Sequence, residues 1–315
     1  MVTAPSLCVD VAGIALQNPL IPASGCFGFG DDFLDFFDPN ILGAAALKGT
    51  TREPQAGNPT PRIAETPAGM INSIGLQNPG IDEVLAQKLP HLATFYHQPV
   101  ILNISGFSVD EYRECCAKAD GRAEIIELNV SCPNVHGGGM SFGADADALA
   151  EVTRAVRQEV SRSRLFVKLS PNVTDIVELA RVVEGEGADG VTLINTLQGM
   201  RIDPARRRPV IARTMGGFSG PAIFPVALRM IWQVWEATGL VILGSGGVAR
   251  AADVIEMMEA GASAVQVGAE SLRNPMAIPQ ILAELPELME RWQIASLADL
   301  VGIAHGENDP RKDHE

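Results

Sequence analysis

The chain has 315 residues, 46% apolar and 20% charged, a composition that excludes disordered and fibrous classes. Its 24 Lys and Arg stand against 38 Asp and Glu, a formal charge of −14. That balance repels phosphate backbones and anionic lipid, which argues against a nucleic-acid binder or a membrane-surface protein.

No apolar run approaches the roughly 18–20 residues that cross a bilayer. Residues 1–6 lack the basic and apolar regions of a signal peptide. Cys8, Cys26, Cys115, Cys116 and Cys132 are odd in number and form no CxxC pair, so a reducing, cytoplasmic setting is expected. The glycosylation-like triplets at Asn103, Asn129 and Asn172 are read as chance matches.

In chain order, short apolar runs recur at residues 19–21, 45–47, 100–102, 125–128, 165–167, 190–194, 241–243 and 264–267. Runs buried on both faces suit a parallel sheet covered by helices. Between them, Ser108 is a candidate cap for a helix over 110–119, and Thr174 for one running through Val183. Pro221 opens a segment through Trp235, and 251–258 ends at Gly261. Eight such units favour a closed (β/α)8 TIM barrel over 1–305 as one domain, with 306–315 a loose tail. An open doubly wound sheet is also compatible, since periodicity does not show closure.

In a parallel barrel the C-terminal strand ends converge on one mouth. Here those ends are polar: Ser24, Lys48, Asn103, Asn129, Lys168 and Asn195. A single lysine there would simply snorkel to water; the whole set points to a ligand site. The last two runs end in Gly244-Ser245-Gly246-Gly247 and Gly268-Ala269, which suit either tight turns or a phosphate held by backbone N–H groups. Their place after the seventh and eighth strands favours phosphate. Cys132 directly follows the fourth strand and precedes a proline, a position for a general base. Cys8, Cys115 and Cys116 read as inert core residues, and Cys26 is undecided. The glycines of 25–30 and 137–139 read as loops. The histidines have no ligand spacing, so no metal is expected. Arg201, Arg206, Arg207, Arg208 and Arg213 read as a solvated lid, or less readily as a steering patch for an anionic substrate.

Several motifs are longer than such spacing arguments need. They are Ile21-Pro22-Ala23-Ser24-Gly25, Lys48-Gly49-Thr50-Thr51, Asn58-Pro59-Thr60-Pro61-Arg62, 72–80 (NSIGLQNPG), 127–134 (ELNVSCPN), 167–172 (VKLSPN), Ile194-Asn195-Thr196 and Gly217-Phe218-Ser219-Gly220-Pro221. Together they resemble class 1 dihydroorotate dehydrogenases over roughly residues 7–300. Residues 25–30 and 170–176 look more like class 1B, the NAD-linked branch, than class 1A, whose homodimers use fumarate directly. A serine in place of Cys132 would have suggested class 2.

The resemblance implies an FMN flavoprotein that oxidises (S)-dihydroorotate to orotate in pyrimidine biosynthesis. Cys132 would take the C5 proton while C6 delivers hydride to FMN N5, with Lys168 supplying positive charge beside the flavin. Ser24, Lys48, Gly49, Asn103, Asn129, Lys168, Ile194 and Gly220 would line FMN, and Gly246, Gly247, Gly268 and Ala269 its phosphate. Family members often have threonine where Ala269 stands. Lys48, Asn72, Ser73, Ile74, Gly75, Leu76, Asn129, Asn195 and Thr196 would hold the substrate. FAD and a [2Fe–2S] cluster would reside on a partner subunit, because this chain has no grouped cysteines for a cluster. The implied assembly is a homodimer within a heterotetramer. A flavin-free phosphate-binding aldolase or isomerase, with Lys168 forming a Schiff base, accounts for the glycines and lysines but leaves Cys132 and the asparagines idle.

Overall fold

A computed structural model describes residues 4–131 and 142–308. Its main sheet has eight strands: Leu20–Pro22, Ala45–Ala46, Val100–Ile104, Ile125–Asn129, Arg164–Lys168, Gly190–Leu193, Val241–Ser245 and Ala264–Val267. These first to eighth barrel strands coincide with the apolar runs of the sequence. Each is parallel to its neighbour, in the spatial order first, eighth, seventh, sixth, fifth, fourth, third, second. The first and second strands meet where Gly43 N–H donates to the Leu20 carbonyl at 2.9 Å. The sheet thus wraps into a (β/α)8 TIM barrel, and the doubly wound alternative falls.

Burial explains the strands. Leu165, Phe166 and Val167 are fully buried, as are Ile101, Leu102 and Ile104, because helices cover the sheet outside and side chains fill it inside. Helices Val109–Ala119, Ala146–Glu159, Ile176–Gly185, Phe224–Ala237 and Ala251–Glu259 follow the third to seventh strands. Ser108 caps the first of these, its Oγ accepting from Glu111 N–H at 3.2 Å. Thr174 does not cap the third. Asp175 does, accepting from the N–H groups of Val177 at 2.8 Å and Glu178 at 3.3 Å, and its carboxylate also suits the positive helix end.

The outer ring is not uniform. The first crossover holds only the 3₁₀ turns Asp31–Phe33 and Pro39–Ile41. The last carries a short helix, Ala269–Arg273, and a long one, Ala277–Trp292. Cys115 and Cys116 are core residues, but Cys8 is exposed, contrary to the sequence reading: it precedes the Val9–Val11 strand rather than joining the packed core. At the C-terminus, 306–308 complete the 3₁₀ stretch Ile303–Asn308, and the rest of the expected tail lies outside the described residues. Among the described residues no helix is long and apolar enough to cross a membrane.

Three further pieces have no counterpart in the apolar runs, the smallest being the short antiparallel pair Ile202–Asp203 with Arg208–Pro209. An antiparallel hairpin, Val9–Val11 with Ile14–Leu16, precedes the first strand. A four-stranded antiparallel sheet rises from the C-terminal ends of the second and sixth strands. Its order is Leu197–Met200, Met215–Ser219, Gly69–Asn72, Ile63–Thr66. Because both of its halves start at the mouth, it forms a canopy there.

Candidate active site

Register fixes what faces the barrel interior. Asn103 pairs with Glu127, Asn129 with Lys168, and Lys168 with Thr192 on successive strands, so these side chains share one face. Asn103, Lys168 and Thr192 converge on the carboxylate of Glu127, which is fully buried. Its Oε1 accepts from Asn103 Nδ2 at 2.7 Å, and its Oε2 accepts from Thr192 Oγ1 at 2.6 Å and Gln266 Nε2 at 2.8 Å. Lys168, 6% exposed, donates from Nζ to Gln266 Oε1 at 3.0 Å and lies 3.9 Å from Glu127 Oε1. This lysine is held inside the barrel rather than snorkelling out of it.

One level up, the asparagines interlock. Asn129 Oδ1 accepts from Asn195 Nδ2 at 3.2 Å and from Ser131 N–H at 3.3 Å, while its carbonyl accepts from Tyr112 OH at 2.7 Å. Asn195 Oδ1 in turn accepts from Thr196 N–H at 2.8 Å. Asn129, Asn195 and Thr196 are therefore one connected rim above Lys168. Cys132, three positions after Asn129, lies outside the described residues.

Lys48 approaches from the second strand. Its N–H donates to the Gly28 carbonyl at 3.0 Å, and a Cβ at Gly25 would lie 3.4 Å from its Nζ. The glycine loop 25–30, read from the sequence as a mere connection, thus shapes the site. Burial lowers the Lys48 pKa from the ordinary lysine range, the nearby Cys26 opposes this, and Arg62 adds to it. The Cys26 thiol is pushed up by burial and partly drawn back by the Lys168 and Lys48 ammonium groups. Ser24 is half-buried in the same turn, which Ala23 N–H ties to the Val267 carbonyl at 2.8 Å. Gly49 is bare where a Cβ would come 2.8 Å from Asn103 Oδ1.

The canopy brings in the remaining residues. Asn72 Nδ2 donates to the Gly217 carbonyl at 3.5 Å, and a Cβ at Gly217 would collide with Thr196. Ser73, Ile74, Gly75 and Leu76 form the return loop. It is tied down where Asn58 Nδ2 donates to the Ser73 carbonyl at 3.0 Å and Asn58 N–H to the Ile74 carbonyl at 2.9 Å. Their link to Lys48 runs through Arg62, whose carbonyl accepts from Ser73 N–H and whose charge acts on that lysine. Of the arginine group, Arg201 donates to the Glu65 carbonyl at 2.6 Å and Arg213 to Asn58 Oδ1 at 3.1 Å, so both brace the canopy.

Buried Ile194 donates from N–H to the Ser245 carbonyl at 2.7 Å, and a Cβ at Gly246 would lie 3.2 Å from its Cγ1. Gly246 and Gly247 have φ of 127° and 85°. At Gly247 a Cβ would sit 2.7 Å from Phe224 N, and at Gly220 it would collide with Gly69. Tight packing thus demands these glycines. Gly268 differs: a Cβ there would make ordinary contacts at 3.6 Å to Ala23 and 3.9 Å to Cys26, so packing alone does not require it. Ala269 opens the short helix that follows.

The dihydroorotate dehydrogenase family profile matches residues 6–289, nearly the whole barrel. The chain belongs to that family. Three relatives, each named dihydroorotate dehydrogenase B (NAD(+)), catalytic subunit, set the distance within it. The protein of Geobacillus kaustophilus is 51% identical over 94% of this chain and 95% of its own length. That of Listeria monocytogenes serotype 4b is 50% identical over 93% and 97%. That of Halalkalibacterium halodurans is 51% identical over 94% and 97%. Within this dihydroorotate dehydrogenase barrel, the sequence reading passed over Glu127, Thr192, Gln266 and Ser105, and left Cys26 undecided. The signal for two of them was present: Glu127 and Gln266 each interrupt an otherwise apolar strand.

Proposed function

We propose that this chain is the catalytic subunit of an NAD+-linked dihydroorotate dehydrogenase, oxidising (S)-dihydroorotate to orotate with FMN held in the barrel mouth. The observation that carries the reading is a set of buried polar atoms that the protein itself leaves unanswered. Asn103 Oδ1 and Ser105 Oγ have no hydrogen-bond partner among the described residues, and both residues are fully buried beside Gly49. Leaving a buried polar group unpaired costs about 1–3 kcal/mol, so such atoms call for a bound partner. A planar ring with polar edges, set on Gly49 with Lys168 beside it, fits that requirement.

Ser24, Lys48, Gly49, Asn103, Asn129, Lys168, Ile194 and Gly220 would hold FMN, with Gly246, Gly247, Gly268 and Ala269 at its phosphate. When bound, FMN supplies two-electron acceptance. Lys168 keeps a buried cation at the pocket wall, where preorganised charge acts most strongly on a developing anion. The rim asparagines orient the substrate: each amide both donates and accepts, and the Asn129–Asn195 bond fixes which end does which. Lys48, helped by Asn72 to Leu76 and Thr196, would take the substrate carboxylate and ring edges. Cys132 would accept the C5 proton as C6 loses its hydrogen and two electrons. An FAD and [2Fe–2S] subunit would pass those electrons to NAD+, in a heterotetramer built on a dimer of this chain, in the cytoplasm.

The test is an anaerobic visible spectrum of the purified chain before and after adding dihydroorotate. A yellow protein whose flavin band bleaches supports the reading, and the isolated chain should then reduce dyes well and NAD+ poorly. Yellow colour without bleaching discards the substrate. A colourless protein that FMN does not reconstitute returns the barrel to the aldolase or isomerase class, and rapid turnover with fumarate would return it to class 1A.

A further inference from the structure

We infer that Glu127 is a positioning residue, setting the hydrogen-bond polarity of the FMN pocket through Asn103 and Gln266; the inference rests on the FMN reading above. Glu127 lies below the mouth, fully buried, and its four polar neighbours all face it with donors. A primary amide has one donating and one accepting end, so committing one end decides the other. Asn103 gives Nδ2 to Glu127 Oε1, which leaves Oδ1 as the atom without a protein partner, beside Gly49. Gln266 gives Nε2 to Glu127 Oε2, which turns its Oε1 onto Lys168 Nζ at 3.0 Å. One carboxylate thus fixes Asn103 Oδ1 as the acceptor left free, among the described residues, beside Gly49 and, through Gln266, anchors the lysine. Buried networks of this kind cost little when every member is satisfied and much when one is not.

The substitution Glu127→Gln keeps size and shape but gives position 127 one donating end. If that end replaces Oε1, Asn103 must flip and present Nδ2 to the pocket. If it replaces Oε2, Gln266 must flip and turn its amide N–H groups onto Lys168. Either arrangement spoils the pocket. Exchanging the pair, as in E127Q/N103D, restores an acceptor at position 103. The carboxylate introduced there accepts from the amide introduced at 127 and still offers an oxygen to the pocket.

The experiment is FMN titration into the flavin-free full-length chain, read by quenching of flavin fluorescence, for wild type, E127Q, N103D and E127Q/N103D. Melting of each flavin-free chain is followed by circular dichroism. E127Q is expected to bind FMN about tenfold or more weakly than wild type, and the double variant to bind better than either single one. Equal binding by E127Q and wild type overturns the inference. So does a double variant no better than N103D, a comparison that remains decisive even if E127Q alone fails to fold. A wild-type chain that takes up no FMN overturns the reading on which the inference rests, and is distinguishable because no variant is then needed.

Discussion

Lys48 and Cys132 carry different demands on charge. Burial holds the Lys48 pKa below the ordinary lysine range, so its ammonium is lost earlier as pH rises. Binding a carboxylate favours the charged lysine. Orotate affinity should therefore be full at neutral pH and fall as pH rises through the depressed value, before about pH 10 where an ordinary lysine titrates. The orotate-induced change in the flavin spectrum measures this, and an affinity flat to that pH would contradict it. For the proposed base, Cys132→Ala should keep FMN bound and slow flavin reduction by dihydroorotate by ~10²–10⁴-fold in stopped flow. Retained kinetics would remove Cys132 from its role. At this scale the polar strand ends were legible in the sequence because a parallel barrel aims them at one mouth. Glu127 and Gln266 showed only as polar breaks in apolar runs, and their role was not legible because their partners lie on other strands. Cys26 was left undecided because nothing local to a glycine loop shows that Lys168 and Lys48, from distant strands, act on it.

Elements were most legible where one stretch of chain specifies them. The barrel strands follow from burial on both faces, and the helix over Val109–Ala119 from Ser108 and its apolar face. The end of that helix matters more than its start. Asp120, its last cap, accepts from the N–H groups of Arg162 and Ser163, each at 2.9 Å, and so fastens the turn leading into the fifth barrel strand. Burial pushes the Asp120 pKa up, but hydrogen bonds from Ser163, Arg162 and Ser161 outweigh it, and the value falls to about 2. The folded value lies below the unfolded one, so the stabilisation is complete above about pH 4 and is lost as pH falls through about 2. Asp120→Asn should lower the melting temperature at neutral pH and lose less further stability between those pH values than wild type. Parallel acid-melting curves for the two chains would contradict this. The canopy strands were not legible, because their central pairing joins two different crossovers and, with only Ile71 among them buried, no apolar run marks them.

The whole molecule assembles its mouth from distant sequence. Asn72 and Gly217, bonded across the canopy, are 145 positions apart. Closing so long a loop has an entropic cost that only a formed barrel offsets, so canopy pairing should come late in folding. After dilution from denaturant, recovery of orotate binding is expected to lag the return of far-ultraviolet circular dichroism; simultaneous recovery would refute that order. The canopy also has a symmetry that the site beneath it lacks. Its two hairpins spring from the second and sixth strands, half a turn apart around an eight-stranded ring, and they pair inner strand to inner strand. The repeat is one of strand order alone, since the inner strands carry different side chains, Gly69-Met70-Ile71-Asn72 on one and Met215-Gly216-Gly217-Phe218-Ser219 on the other. The ends of the diameter joining those two barrel strands differ as well: the second strand leads into Lys48 and the sixth into Asn195 and Thr196, so the mouth has a cationic side and an amide side.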